Sequence, residues 1–209
     1  MPVTAKMVRT QLRLAGRSAK VLARHPGAGR ELPRLAATRG RSTMKLRLPW
    51  LPFRLIDELA AVIGPGSRVF EYGGGGSTLW FLDRGADVIT VEHHDGWADE
   101  LERSIDSPRW TLLRRSPDAD YADYVAAIDD RPDDSLDLVV VDGRERARCA
   151  ARATAKVRPG GLLLVDDIDR ERYHAAVDGI GWPRRDVVGF APAKPTLAYT
   201  AVLRRPPST

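Results

Sequence analysis

The sequence RVFEYGGGGST occupies residues 68–78, and the apolar segment LWFL follows at residues 79–82. The first half favours a β-strand, and the four glycines favour a tight turn. The residues beyond the glycines are typical of a helix that begins near Ser77. Glycine permits a close approach of the backbone to a ligand, and the free N–H groups at a helix start face the turn. The stretch therefore predicts a strand, a ligand-binding turn and a helix.

A carboxylate is placed one strand further along the chain. The β-prone residues 87–91 end in Glu92, 21 residues after Glu71. An acid about 20 residues beyond a glycine-rich turn is positioned to bind the hydroxyls of a ribose. The turn lacks the third glycine of a dinucleotide site, because Thr78 or Leu79 stands there, and it lacks the lysine of a phosphate-binding P-loop. The pattern indicates a pocket for a different nucleoside-containing cofactor.

The glycine turn also contains the pattern Glu71-x-Gly73-x-Gly75. This pattern resembles the first motif of the class I S-adenosylmethionine-dependent methyltransferases. The longer run Phe-Glu-Tyr-Gly-x-Gly-Gly-Ser-Thr looks like that of a bacterial branch of this superfamily, and the resemblance covers about residues 48–204. It implies S-adenosylmethionine as the cofactor.

The resemblance assigns roles to individual residues. Gly73 and Gly75 would let the backbone approach the methionine part of the cofactor, while Glu71 would anchor the turn. Glu92 would hold the ribose hydroxyls, and His93 would lie beside the adenosine. The cofactor-binding residues implied in this way are Glu71, Tyr72, Gly73, Gly75, Ser77, Thr78, Glu92, His93 and Asp142.

Several of these residues also have simpler interpretations. Ser77 or Thr78 could bond the cofactor carboxylate, but both are also ordinary helix caps. His93 also fits a surface residue. Tyr173 and the loop at residues 191–195 are suggested walls of an acceptor pocket, and Trp50 fits either such a wall or simple packing.

Aspartates follow the next two predicted strands, at residues 136–141 and 162–165. A hydroxyl acceptor needs a base or a metal to lower its pKa, so Asp142 and Asp166 are the predicted catalytic residues. Their arrangement resembles the catechol-type O-methyltransferases, in which an acid and an Asp-Asn pair bind a divalent cation, and such oxygen ligands would suit Mg²⁺. Asp167 replaces that asparagine, and no lysine lies just past Asp142. A metal is therefore the less favoured alternative.

Charge divides the chain into two parts. The net charge of the sequence is +5, but residues 1–49 hold twelve basic residues and one acid, so the remainder has a net charge of −6. An acidic domain argues against nucleic acid as a partner. The single cysteine, Cys149, fits a reducing compartment, and no hydrophobic signal core is present. We therefore expect a cytoplasmic protein.

The basic residues near the N-terminus recur at helical spacing, which predicts a cationic amphipathic helix within residues 1–24. These residues are Lys6, Arg9, Arg13, Arg17, Lys20 and Arg24. Such a helix could contact an anionic membrane surface or an acidic partner, or remain a solvated leader. Translation could also begin at Met44. We assign residues 1–47 to a basic arm of helix and linker, and residues 48–209 to the methyltransferase domain. If the arm is a surface anchor, removal of residues 1–43 should abolish sedimentation with anionic vesicles and leave cofactor affinity intact.

Beyond the arm, strand-like and helix-like segments alternate, and two β-prone segments at the C-terminus have no room for a helix between them. Those two should pair antiparallel. The predicted fold class is α/β, a Rossmann-like and mostly parallel sheet with an antiparallel C-terminal strand and helices on both faces. We expect methyl transfer to a small-molecule or sugar acceptor, at oxygen. The alternatives are a non-catalytic binding or scaffold domain and a nucleotide-dependent oxidoreductase.

Overall fold

The computed structural model describes residues 23, 26–194 and 196–208, and seven strands in this part of the chain form one sheet. The strands are β1 (Arg68–Tyr72), β2 (Asp87–Glu92), β3 (Trp110–Arg114), β4 (Leu136–Val141), β5 (Val157–Asp166), β6 (Arg184–Phe190) and β7 (Leu197–Arg204). Their order is β3-β2-β1-β4-β5-β7-β6. The first five run parallel, and β7 lies antiparallel between β5 and β6. The predicted fold class is confirmed.

Helices cover both faces of this sheet. They are α1 (Leu32–Thr38), α2 (Thr43–Leu46), α3 (Phe53–Ala60), α4 (Gly76–Asp83), α5 (Asp95–Ser104), α6 (Asp118–Ala126), α7 (Arg146–Lys156) and α8 (His174–Asp178). Successive side chains of a strand point to opposite faces, so Val69 joins one core while Phe70 and Tyr72 join the other. The first core contains side chains of α3, α4 and α5, and the second contains those of α6, α7 and α8.

One predicted boundary differs from the structure. The strand predicted at residues 162–165 is part of the longer β5, which begins at Val157 because Arg158 to Gly161 continue it. The register with β4 shifts there, and Gly160 has a φ of +77°, so the glycine pair forms an irregularity inside the strand. After β5 the chain forms a 3₁₀ turn, Glu171–Tyr173, and the short α8.

The described part of the predicted arm, residues 26–47, packs on the domain. The Glu31 carboxylate is buried and accepts hydrogen bonds from the backbone N–H groups of Arg54 (3.1 Å) and Phe190 (2.7 Å). Gly189 makes room for this carboxylate, since a Cβ there would lie 2.6 Å from its Oε2 atom. The Thr38 hydroxyl accepts from the N–H of Ala193 (3.1 Å). Apart from Ala23, the cationic helix predicted within residues 1–24 lies outside the described residues.

No helix among the described residues is both long and apolar enough to cross a membrane.

The buried carboxylate of Glu31 and the packing of α1 and α2 place residues 26–47 beside the carboxyl ends of the strands, where the candidate site lies.

Candidate functional site

The glycine turn between β1 and α4 is held tightly against neighbouring backbone. Gly73 has a φ of +90°, and a Cβ on this residue would lie 3.0 Å from the carbonyl oxygen of Asp142. A Cβ on Gly74 would lie 2.5 Å from the Thr90 methyl group. Both positions therefore require glycine, the first for its conformation and the second for space.

A buried carboxylate supports the turn from below. Glu71 is fully buried and accepts hydrogen bonds from the hydroxyls of Ser77 (2.8 Å) and Thr90 (2.8 Å), and also from Thr78. Burial outweighs these hydrogen bonds and raises the pKa of Glu71 to about 7. Tyr72 is equally buried and donates to the carbonyl of Val125 at 2.8 Å. Three predicted cofactor residues, Glu71, Tyr72 and Thr78, thus lie beneath the turn.

The end of β2 presents Glu92 to the space above the turn. Its side chain is 5% exposed, and its Oε1 atom accepts from the backbone N–H groups of His93 (2.8 Å) and His94 (2.9 Å). These bonds fix the carboxylate, and Oε2 has no hydrogen bond among the described residues. The His93 ring packs edge-on against Tyr121 and Tyr124, and its burial lowers its pKa, which favours the neutral ring.

Trp97, on the first turn of α5, lies beside the glycine turn and was not among the predicted site residues. Its backbone N–H donates to the Nδ1 atom of His94 (3.1 Å), which caps the helix. Its indole N–H donates to the carbonyl of Gly74 at 2.8 Å, and the ring remains 37% exposed. The sequence signal that could have indicated Trp97 as a site residue is its position five residues after Glu92.

Arg146 organises the carboxyl ends of β4 and β5. Its guanidinium donates to the carbonyls of Gly143 (3.1 Å) and Asp166 and to the carboxylate of Asp142 (3.0 Å). It also lies 3.2 Å from the carboxylate of Asp167. The sequence analysis did not identify this buried arginine as part of the site, and its only sequence signal is its place four residues after Asp142.

Burial changes the ionisation of the predicted catalytic residues. Burial and the nearby Asp166 raise the pKa of Asp142 to about 8, although Arg146 opposes the shift. Burial also raises the pKa of Asp166, whose carboxylate accepts from the Thr200 hydroxyl at 2.6 Å. The two groups therefore hold protons more firmly than free carboxyls do.

The three aspartates do not suit a divalent cation. Such an ion needs several free oxygen ligands, but Arg146 already binds Asp142 and Asp167 and occupies the space between them. Among the described residues no group of three or more His, Cys, Asp or Glu is arranged to hold a metal. The residues present do not fit the ligand set of the catechol-type enzymes.

One cavity of about 790 Å³ lies above the glycine turn and the strand ends. The predicted site residues that line it are Gly73, Gly75, Ser77, Glu92, His93, Asp142 and Asp166. Tyr173, Lys194 and Trp50 line it as well, and Trp50 is 51% exposed at its mouth. The structure thus brings the turn, the strand-end carboxylates and the suggested acceptor walls around a single space.

No protein-family model matches the chain, and a search of curated proteins finds no match. Solved structures do match it. An S-adenosylmethionine-dependent methyltransferase from Archaeoglobus fulgidus superposes with a TM-score of 0.55 and 9% identity, covering 79% of this chain and 95% of the other. A precorrin-6y C5,15-methyltransferase from Geobacter metallireducens gives a TM-score of 0.53 and 11% identity, covering 73% and 88%.

A third structure, a 1,6-didemethyltoxoflavin-N1-methyltransferase from Burkholderia thailandensis with bound 1,6-didemethyltoxoflavin and S-adenosylhomocysteine, gives a TM-score of 0.52 and 15% identity, covering 99% and 92%. This chain has the class I methyltransferase fold. Solved structures that match it also include a spermidine synthase from Thermotoga maritima and a [4+2]-cyclase. Because one fold hosts several reactions, the function of this chain has to be argued from its site.

Proposed function

We propose that the protein is an S-adenosylmethionine-dependent methyltransferase that acts on an oxygen atom of a small molecule or sugar. The observation that carries the proposal is the shared cavity of Glu92 and the glycine turn. A fixed carboxylate with one free oxygen faces the same space as the backbone of Gly73 to Gly75, which is the arrangement that an adenosyl group with an amino-acid tail requires. The class I fold supports the same conclusion.

The residues present fit this cofactor. The free Oε2 atom of Glu92 is available to the ribose hydroxyls, and neutral His93 and the face of Trp97 provide flat surfaces for the adenosine. Backbone of the glycine turn, with Ser77 at its edge, would hold the methionine part. S-adenosylmethionine supplies an electrophilic methyl group when it is bound. Glu71, Tyr72 and Thr78 support the turn without lining the cavity.

Asp142 is the proposed base for the acceptor hydroxyl, with Asp166 beside it. A base works best when its pKa lies near the working pH, and the pKa of about 8 satisfies this condition without a metal. Arg146 fixes the Asp142 carboxylate, so the acceptor can be aligned against it. Alignment alone can supply roughly 7–11 kcal/mol of the barrier in reactions of two bound partners.

Titration calorimetry with S-adenosylmethionine and S-adenosylhomocysteine tests the cofactor assignment. We expect both to bind at one site per chain. An acceptor screen with radiolabelled methyl donor, over phenols, sugars and amines, then tests the reaction. The absence of heat with both ligands would favour the scaffold alternative, and label on nitrogen or carbon alone would contradict transfer to oxygen.

A further inference from the structure

Positive side chains outnumber negative ones on the lining of the cavity. The basic residues that line it are Arg144, Arg146, Arg170, Arg172 and Lys194. The acids that line it are Glu92, Asp142, Asp166 and Asp167. This excess of positive charge stands out because the chain beyond residue 49 has a net charge of −6. The charge of the cavity lining is therefore opposite to that of the domain.

The acids of the lining do not balance the bases. Asp167 alone faces three of them, with its carboxylate 2.7 Å from Arg170, 3.2 Å from Arg146 and 3.4 Å from Lys194. Burial opposes ionisation of Asp167, but these three neighbours together lower its pKa, so it contributes one negative charge. Burial raises the pKa of Asp166, and the pKa of Asp142 is raised to about 8, so neither contributes a full charge at neutral pH. Positive charge remains in excess.

Two of the arginines have no acidic partner among the described residues. Arg144 and Arg172 are both exposed side chains on the cavity lining, and neither forms an ion pair within that part of the chain. Arg172 donates to the Tyr173 hydroxyl at 2.8 Å, and its guanidinium lies 4.8 Å from the centre of that ring. Tyr173 therefore orients the Arg172 guanidinium at the cavity while leaving other N–H donors free.

We infer that the acceptor carries an anionic group, a carboxylate or a phosphate, which Arg172 and Arg144 bind from the cavity lining. The inference rests on the proposed methyltransferase function and names its substrate class. Guanidinium groups match the geometry of both oxyanions and bind them with two parallel hydrogen bonds. Arg170 and Lys194 add to the attractive potential, but both already form ion pairs with Asp167. The buried Arg146 forms ion pairs with Asp142 and Asp167.

The test uses the full chain saturated with S-adenosylhomocysteine and two matched pairs of probes. One pair is 4-hydroxybenzoate and its methyl ester, and the other is glucose 6-phosphate and glucose. Ligand-observed NMR measures the dissociation constant of each probe. We expect the anionic member of at least one pair to bind about tenfold more tightly than its neutral partner, because charged hydrogen bonds are the stronger ones. The pair that shows the preference distinguishes a carboxylate from a phosphate.

Variants connect the preference to the named side chains. Arg172→Gln and Arg144→Gln should each reduce the anionic preference several-fold and the double variant should abolish it. Arg103→Gln, which removes an exposed arginine of α5 that pairs with Glu100 outside the cavity, should retain it. If no anionic probe binds better than its neutral partner, including the case in which no probe binds, the inference is wrong. A preference that survives the double variant also overturns it.

Failure of this inference is distinguishable from failure of the proposed function. Calorimetry with S-adenosylhomocysteine is carried out first on each variant. Loss of that binding in Arg172→Gln, with the probes unaffected, would assign the arginine to the cofactor carboxylate and overturn the inference. Absence of cofactor binding in the unaltered chain would instead contradict the methyltransferase assignment.

Discussion

The two oxygen atoms of Glu92 differ in their contacts. One accepts two backbone hydrogen bonds and fixes the loop after β2, while the other has no hydrogen bond among the described residues, and the side chain lines the cavity. Holding the carboxylate in advance would reduce the entropy that the proposed cofactor binding costs.

Replacing Glu92 with alanine should weaken S-adenosylhomocysteine binding by roughly 1–3 kcal/mol, the cost of losing charged hydrogen bonds to the ribose. Glu92→Gln keeps an acceptor in place and should lose less. Calorimetry measures both, with Glu100→Ala, which removes a half-buried acid of α5 outside the cavity, as the matched control. Unchanged affinity in Glu92→Ala would show that the ribose is held elsewhere.

The proposed role of Asp142 as the base predicts a rate of methyl transfer that depends on pH. The base is active when it is ionised, and its pKa is raised to about 8, so the rate should rise with pH until about 8 and then level off. Asp142→Asn should lower the rate by roughly 10²–10⁴-fold and remove the rise. The measurement is a pH–rate profile with an acceptor found in the screen. A profile that stays the same in the variant would assign proton removal to another group.

At the scale of elements, the unit of β1, the glycine turn and α4 depends on a carboxyl that stays buried. Glu71 joins the end of β1 to α4 through Ser77 and Thr78, and to β2 through Thr90. The N-cap residue Gly75 offers no side-chain cap to α4, and the Thr78 hydroxyl, which Glu71 holds, accepts a hydrogen bond from the backbone N–H of Gly75 at 3.0 Å.

Glu71 should make stability depend on pH. Its pKa is raised from 4.5 in the unfolded chain to about 7 in the folded one, so the folded state holds the proton more firmly. This contribution is complete below pH 4.5 and is lost as the pH rises through 7. Relative to Glu71→Gln, the unaltered chain should lose up to about 1.4 kcal/mol of unfolding free energy per pH unit in this window.

Urea denaturation of both proteins across that window measures the difference. Glu171→Gln, which removes an exposed carboxyl, provides the control for a simple change of charge. A difference between the unaltered chain and Glu71→Gln that does not vary with pH would show that Glu71 ionises normally.

The sequence predicted the strand ends well because they depend on local patterns. Three local patterns predict these strand ends: the run of apolar residues in β4, the glycines after Tyr72 and the spacing of Glu92 from that turn. The contacts of Arg146 could not be predicted from the sequence. Its partners Asp166 and Asp167, at the end of β5 and just after it, come close to Arg146 only when the sheet has formed. The same holds for Trp97, whose indole N–H bonds to a carbonyl 23 residues away.

At the scale of the whole molecule, the described N-terminal residues belong to the packed structure. Glu31 joins α3 and β6 through two backbone N–H groups, and Thr43 lines the cavity. A Cβ on Gly76 would lie 2.5 Å from the Thr43 carbonyl oxygen, which shows how closely α2 approaches α4. This packing changes the expectation that residues 1–43 can be removed without effect on cofactor affinity.

A chain that begins at Met44 should be less stable than the full chain by at least about 1–3 kcal/mol, because the backbone donors bound by Glu31 would lose their partner. Its S-adenosylhomocysteine affinity should also fall. A chain without residues 1–25 should match the full chain in both respects. Urea denaturation and calorimetry measure these properties, and equal values for the two truncated chains would contradict the structural role of residues 26–43.

The contact between Glu31 and Phe190 also limits how two copies of the chain can associate. An outermost strand with free N–H and C=O groups is a template for pairing with another molecule. Here the carboxylate of Glu31 takes the N–H of Phe190, and the 3₁₀ helix Pro26–Glu31 lies against β6. A continuous intermolecular sheet is therefore blocked at this end of β6.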